Sequence, residues 1–390
     1  MITKINPRHD KEQNSIDSQF SQNGFSTFID FWKFPENFIS FNNKINDSQS
    51  NCVLFKWSSP DSQDKLAFYR WRNARFYALL TRSFTIPNSS DDTIYDESGN
   101  IANVIRIDRS SRTITLPFNF DSAVWNLRIE EYLKSETGSQ LFSIARQAYY
   151  SIKPLLPRNF QLTLRRRLMV QMGKRPFPTW PLDMSVEILN IELLKCLLSL
   201  QPNLSLPVLS FWPSGEDYAF VITHDVESKI GFDNIKLLSD LEQKYGFHSS
   251  WNFVLKQYKI DKNVLQKLVS DGNEIGIHGL YHNGKMFQSK DKFLDQAIQI
   301  NKYFHEWNCV GFRSPSNIRK LDWIRDHIDA EYDTSSPTTE WYGAQPGGCC
   351  TVFPFQYGNI IEIPITMQQD QTLLEILGFS HNKILDHWSQ

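Results

Sequence analysis

Two short segments of this chain hold residue types that together can bind a metal ion and move a proton. Thr223-His224-Asp225-Val226-Glu227 offers two carboxylates, and His278-Gly279-Leu280-Tyr281-His282 offers two imidazoles. Two histidines and one carboxylate suffice for a catalytic metal with positions left open for water and substrate. The second carboxylate is then free to take a proton, which suits metal-assisted hydrolysis. Asp225 and Glu227 are two apart, so on extended chain both side chains lie on one side. One can ligate while the other stays beside it as a base. His278 and His282 are four apart, as in zinc-binding helices, but Gly276 and Gly279 argue for a strand followed by a turn. Arg313-Ser314-Pro315 adds a fixed cation able to orient Asp225 through a bidentate contact. An ordinary ion pair at a strand end explains the same arginine equally well. Strand alternation turns His224 away from Asp225, which makes it a structural histidine.

The elements around these residues set where they fall. Strand-like runs at Tyr218–Thr223, His248–Leu255, Asn273–His278, Cys309–Arg313, Glu331–Ser335 and Ile360–Ile365 alternate with helical runs at Ile230–Tyr245, Val264–Ser270, Lys290–Trp307 and Lys320–His327. This rhythm predicts an α/β fold with a parallel sheet or a (β/α) barrel. In such a fold the active site lies at the carboxyl ends of the strands. Asp225, Glu227, His278, His282, Arg313, Asp333 and Glu362 all fall in or just after those runs. Upstream, Cys52–Trp57, Lys65–Arg72, Phe76–Thr81, Ile101–Asp108 and Thr113–Phe118 read as strands, with Asp121 as the N-cap of a helix over 123–134. Prolines break the helical stretch 139–200. Within it, residues 158–169 place Phe160, Leu164 and Leu168 on one face flanked by arginines, a salt-bridged surface helix or a contact for an anionic partner. The organisation expected is a polar, poorly ordered 1–25, a β-rich domain at 26–136, a helical connector at 137–215 and an α/β domain at 216–390.

Composition bounds the class. The chain has 390 residues, 41% hydrophobic and 14% aromatic, enough for two cores. A net charge of −2 gives no global case for nucleic acid or membrane as a partner. Five cysteines without CxxC spacing argue against a disulfide framework and a cysteine zinc site. No apolar run reaches the length of about 20 residues that spans a bilayer, and no leader-like segment opens the chain, so a cytoplasmic location is expected.

With these residues in view, 218–365 resembles the polysaccharide deacetylase (NodB homology) domain, carbohydrate esterase family 4. The family's Thr-Phe-Asp-Asp-Gly motif has a Thr-His-Asp-Val-Asp branch, and Thr223–Glu227 looks like that branch with glutamate last. His278 and His282 match its His-x-x-x-His motif, Arg313-Ser314-Pro315 its Arg-x-Pro, and Tyr332-Asp333-Thr334-Ser335 its fourth. The helical lead-in at 153–180 is similar to that branch as well. The resemblance implies a distorted (β/α) barrel and a divalent metal, zinc above all. It implies removal of acetyl from an N-acetylated amino-sugar glycan or a surface polysaccharide precursor. It makes Asp225 the general base, Arg313 its support, and Glu227, His278 and His282 the metal ligands. Pro315 and Asp333 become substrate contacts. The family takes its general acid from a Leu-x-His motif on a late strand. Leu385-Asp386-His387 spells it, with helical spacing, so His387 is the candidate acid and the barrel is expected to lack its last strand or strands. Two other readings keep the site: an amidase for small cyclic or linear amides, and a glycan-binding homologue without turnover.

Overall fold

The computed structural model describes residues 26–33, 39–41, 53–58, 64, 66–81, 88–135, 157, 163, 166, 176–201 and 211–389. The chain divides into two compact units, one of 1–72, 77–125 and 192–209, the other of 73–76, 126–191 and 210–390. The expected disorder of 1–25, residue Cys52 and nearly all of the arginine-flanked run 158–169 lie outside the described residues.

In the first unit a short helix, α1 (Ser26–Trp32), precedes strands β1 (Ile39–Phe41), β2 (Val53–Trp57), β3 (Leu66–Trp71), β4 (Ala74–Leu79), β5 (Asp92–Asp96), β6 (Ile101–Asp108) and β7 (Thr113–Leu116), then α2 (Phe120–Arg128). They form a seven-stranded sheet of order β1-β2-β7-β6-β5-β3-β4. The sequence shows no strand at β5, because its alternation is mostly polar. Asp121 is not the cap expected. It already lies inside α2, and Asn119 Oδ1 instead accepts from the Ser122 N–H at 2.9 Å. The buried Asp121 carboxylate reaches across to accept the Ser26 and Thr27 N–H groups at 2.9 and 2.7 Å, filling donors that the start of α1 leaves open.

After α3 (Ser185–Leu200), which the unit boundary crosses, come β8 (Ile222–Val226), α4 (Lys229–Asp233), α5 (Ile235–Lys244), β9 (Ser249–Phe253), α6 (Lys262–Ser270), β10 (Glu274–Ile277), α7 (Lys290–Trp307), β11 (Gly311–Phe312), α8 (Leu321–His327), β12 (Tyr332–Asp333), β13 (Phe355–Tyr357), β14 (Ile360–Glu362) and α9 (His381–Trp388), the predicted alternation except for β13, which was not among the expected strands. The sheet order is β13-β14-β12-β11-β10-β9-β8. Every neighbouring pair is parallel except β13–β14. Among the described residues the sheet is open, with β8 and β13 at its edges; the mixed α/β class is the one expected, and no complete barrel is formed. Ser228, Asp261 and Ser289 cap α4, α6 and α7 by accepting backbone N–H groups. The single helix expected over 230–245 splits at Asn234, whose side-chain amide donates to the Ile230 carbonyl at 2.8 Å.

Strand β8 begins four residues later than the apolar run implies. Tyr218, Phe220 and Val221 are exposed, and pairing starts where Ile222 meets Ser249. The shift matters, because it puts Asp225 inside the strand. Between sheet and helices, Val226, Phe232, Ile235, Trp251, Phe253, Leu265, Leu268 and Ile275 form one core cluster. Each large side chain buried there contributes roughly 1.5–3 kcal/mol. Phe253→Ala is expected to lower the unfolding free energy by about 3–5 kcal/mol in denaturant titration.

Candidate metal centre

The parallel register delivers the chemistry to one end of the second sheet. The ladder continues past the strands: His278 N–H donates to the Phe253 carbonyl at 2.8 Å, Arg313 N–H to Ile277 at 2.9 Å, and Thr334 N–H to Phe312 at 2.9 Å. Residues just beyond β10, β11 and β12 thereby line up side by side along the sheet edge at which β8 also ends.

Glu227, His278 and His282 gather here, with one ligand atom from each lying within 4.8 Å of the others. His282 Nε2 is 3.1 Å from Glu227 Oε1, and His278 Nε2 is 3.7 Å from the same oxygen. His278 is buried, and its Nδ1 lies 3.0 Å from the Arg313 carbonyl oxygen. A carbonyl only accepts, so Nδ1 carries the proton and Nε2 presents its lone pair to the cluster. That Nε2 is buried without a hydrogen-bond partner. An orphaned imidazole lone pair facing a carboxylate and a second imidazole fits a divalent cation with nitrogen and oxygen preference. The residues present therefore fit the group.

Asp225 lies beside this cluster without joining it. Its Oδ1 accepts from Asn252 Nδ2 at 3.1 Å and Arg313 Nη1 at 3.2 Å. Its Oδ2 remains toward the ligands, 3.8 Å from His278 Nε2. Asn252 is the in-register partner of Asp225 on β9. Gly276 faces it from β10, and a Cβ there would collide with the Asn252 amide oxygen. Arg313 is buried and held at both ends, donating from Nε to Thr334 Oγ1 at 2.8 Å and from Nη1 to Thr223 Oγ1 at 2.8 Å. Burial alone would raise the Asp225 carboxyl. The Arg313 cation, His278 and the Asn252 hydrogen bond outweigh it, and the group stays below the ordinary carboxylate range. Glu227 also lies below the ordinary carboxylate range: burial opposes ionisation, but the two imidazoles beside it outweigh that. His278 moves the other way. Burial lowers it, yet Asp225 and Glu227 raise it on balance. The site is thus a negative field that a cation can neutralise.

Pro315 is buried in the turn after β11 and packs against Gly279. The same turn aims Ser316 Oγ at His282 Nε2, 3.3 Å away, a neighbour that spacing in the sequence did not reveal. The turn is anchored by Arg319, whose Nε donates to the buried Glu130 at 2.8 Å. Asp333 is not open to a substrate. It is fully buried, accepts from Ser335 Oγ at 2.6 Å and sits in register beside Glu362. His387 lies on α9, stacked on Trp180 at 5.2 Å and 2.9 Å from Gln368 Oε1, outside the metal cluster. His224 turns from Asp225 toward Glu242, 2.6 Å away, and packs on Trp251. The four described cysteines are free and buried.

No family model matches the chain, and no curated protein does. Two solved structures are similar in part. One is a Mycobacterium smegmatis protein described as a candidate polysaccharide deacetylase, at 15% identity and a TM-score of 0.31, covering 40% of this chain and 60% of that one. The other is the Xyl-CE4 domain of a multidomain xylanase from the hindgut metagenome of Trinervitermes trinervoides, at 14% identity and a TM-score of 0.26, covering 43% of this chain and 82% of that one. Likenesses this distant assign neither fold nor activity. No helix among the described residues is long and apolar enough to cross a membrane.

Gly279 has φ +75°, and a Cβ on it would stand 2.7 Å from Pro315 Cγ. Gly279→Ala is expected to cost about 1–3 kcal/mol of stability, read from its melting curve.

Proposed function

We propose that this chain is a metal-dependent amide hydrolase that removes N-acetyl groups from an amino-sugar glycan. One observation carries the reading: Asp225 is fixed by Arg313 and Asn252 through one oxygen and turns its other oxygen toward a Glu227–His278–His282 cluster that holds an orphaned imidazole nitrogen. The four motifs read in the sequence support the acetylated glycan as substrate. Zinc held by Glu227, His278 and His282 would supply a Lewis acid and a bound water of pKa near ~7.

The chain's own residues do the rest. Arg313 and Asn252 occupy Asp225 Oδ1, so the proton is taken at Oδ2. The Nδ1–H bond to the Arg313 carbonyl keeps His278 in the tautomer whose Nε2 is free to ligate. Asp225, once protonated, is the acid nearest the reacting centre and can return its proton to the departing amine. This role was expected of His387, which is engaged with Trp180 and Gln368.

Zinc titrated into the purified protein is expected to bind at one equivalent. His278→Ala should weaken it by more than the ~10–100-fold that loss of an outer-shell partner costs. Acetate release from N-acetylglucosamine oligomers tests the reaction, with ureides and imides assayed in parallel. Asp225→Asn is expected to retain zinc and lower turnover by ~10²–10⁴-fold. Acetate release absent from every glycan while zinc is bound would overturn the deacetylase reading. Release of ammonia from the cyclic amides alone would move the substrate to that class.

A further inference from the structure

Behind the base lies a second pair of carboxyl groups, and the reaction as described makes no use of it. Asp333 and Glu362 are in-register neighbours on the parallel strands β12 and β14. Both are 0% exposed. Two adjacent carboxylates cannot both stay ionised away from water. Their hydrogen bonds show how the conflict resolves. Ser335 Oγ donates to Asp333 Oδ1 at 2.6 Å, and the same hydroxyl accepts from the Ser314 N–H at 2.8 Å. The hydroxyl thus accepts from the main chain and donates to Asp333, so Asp333 Oδ1 is an acceptor. Glu362 Oε1 accepts from the Ser336 N–H at 2.8 Å. That leaves Asp333 Oδ2 and Glu362 Oε2, each buried with no donor among the described residues. As in-register neighbours on parallel strands, the two side chains leave the sheet side by side on the same face. One proton on Glu362 Oε2, donated to Asp333 Oδ2, satisfies both orphans.

We propose that Asp333 and Glu362 share a single proton carried by Glu362, and that the negative charge left on Asp333 is the second counter-charge of Arg313, positioning the arginine that holds Asp225. The chain of contacts is continuous: Glu362 to Asp333, Asp333 through Ser335 to the Ser314 amide, and from there to Arg313. The charged and titratable groups facing the pair are Arg313 on the Asp333 side and the Cys349 thiol on the Glu362 side. Burial pushes that thiol well above its ordinary value. Burial raises both carboxyls. Ser335 and Arg313 restrain Asp333, while the Asp333 charge drives Glu362 further up. Asp333 and Glu362 are positioning residues, and their link to catalysis rests on the function proposed above.

The test is infrared spectroscopy of the whole chain in heavy water at neutral pH, with Glu362→Gln and Asp333→Asn alongside. A buried protonated-carboxyl band is expected in the unsubstituted protein and absent from Glu362→Gln, whose amide replaces the proton donor. No such band in the unsubstituted protein, a measurement that needs no variant, overturns the proposal. So does a band that survives Glu362→Gln. Stability against pH gives a second readout. A carboxyl raised on folding stabilises below its unfolded value, and that contribution is lost as pH rises through the folded value. The melting temperature of Glu362→Gln should therefore gain on the unsubstituted protein as pH increases, and parallel curves would overturn the shared proton. For positioning, the buried Arg313 Nε–H resonance should shift in Asp333→Asn and stay in Glu362→Gln; equal shifts in both overturn it. These readouts are independent of acetate release. If they hold in a protein that releases none, the deacetylase reading fails and the pair stands; if they fail in an active protein, the pair alone falls.

Discussion

The site depends on one hydrogen bond, from His278 Nδ1–H to the main-chain oxygen of Arg313 at 3.0 Å. It joins the ends of β10 and β11 and fixes the tautomer of a buried imidazole, so that Nε2 faces the cluster. Arg313 is at both ends of this logic. Its carbonyl orients the candidate ligand, and its guanidinium, 3.2 Å from Asp225, orients the candidate base. Both groups belong to one residue, and its side chain is itself held by Thr223 and Thr334.

Burying so many ionisable groups is expensive, and the arrangement offsets the cost pairwise. Asp225 has Arg313, and Glu227 has two imidazoles. What remains is an excess of negative field around an orphaned nitrogen, the condition under which a cation is a structural partner as much as a reagent. The architecture makes this possible without long-range distortion. Parallel strands end together, and each contributes its next residue to the same edge.

Much of this was legible from residue order. The period of the second unit identified its strands and helices, and α7 matches its predicted span Lys290–Trp307 to the residue. The alternation of His224 and Asp225 to opposite sides followed from the two-residue repeat alone. Other features were not legible. The apolar run at 218–221 looked like strand, but a strand exists only where a partner offers a ladder, and β9 begins at Ser249. Asp121 had the right type for a cap, yet its carboxylate serves a different helix, 94 and 95 residues away in sequence. The family resemblance made Asp333 a substrate contact, whereas the fold buries it beside Glu362.

Residue types and spacing by themselves determined which chemistry was available: two carboxylates on one side of an extended segment, two histidines across a glycine turn, and an arginine at another strand end. Local periodicity carries that information, because each segment's backbone geometry is set by its near neighbours. Only the tertiary structure decided the arrangement. Which carboxylate joins the histidines, which oxygen of Asp225 is left toward them, and that Ser316, Asn252 and Glu362 stand behind the obvious residues are consequences of strand register. Register is a contact between distant segments, set by packing and hydrogen-bond pairing across the sheet, and no short stretch of sequence contains it.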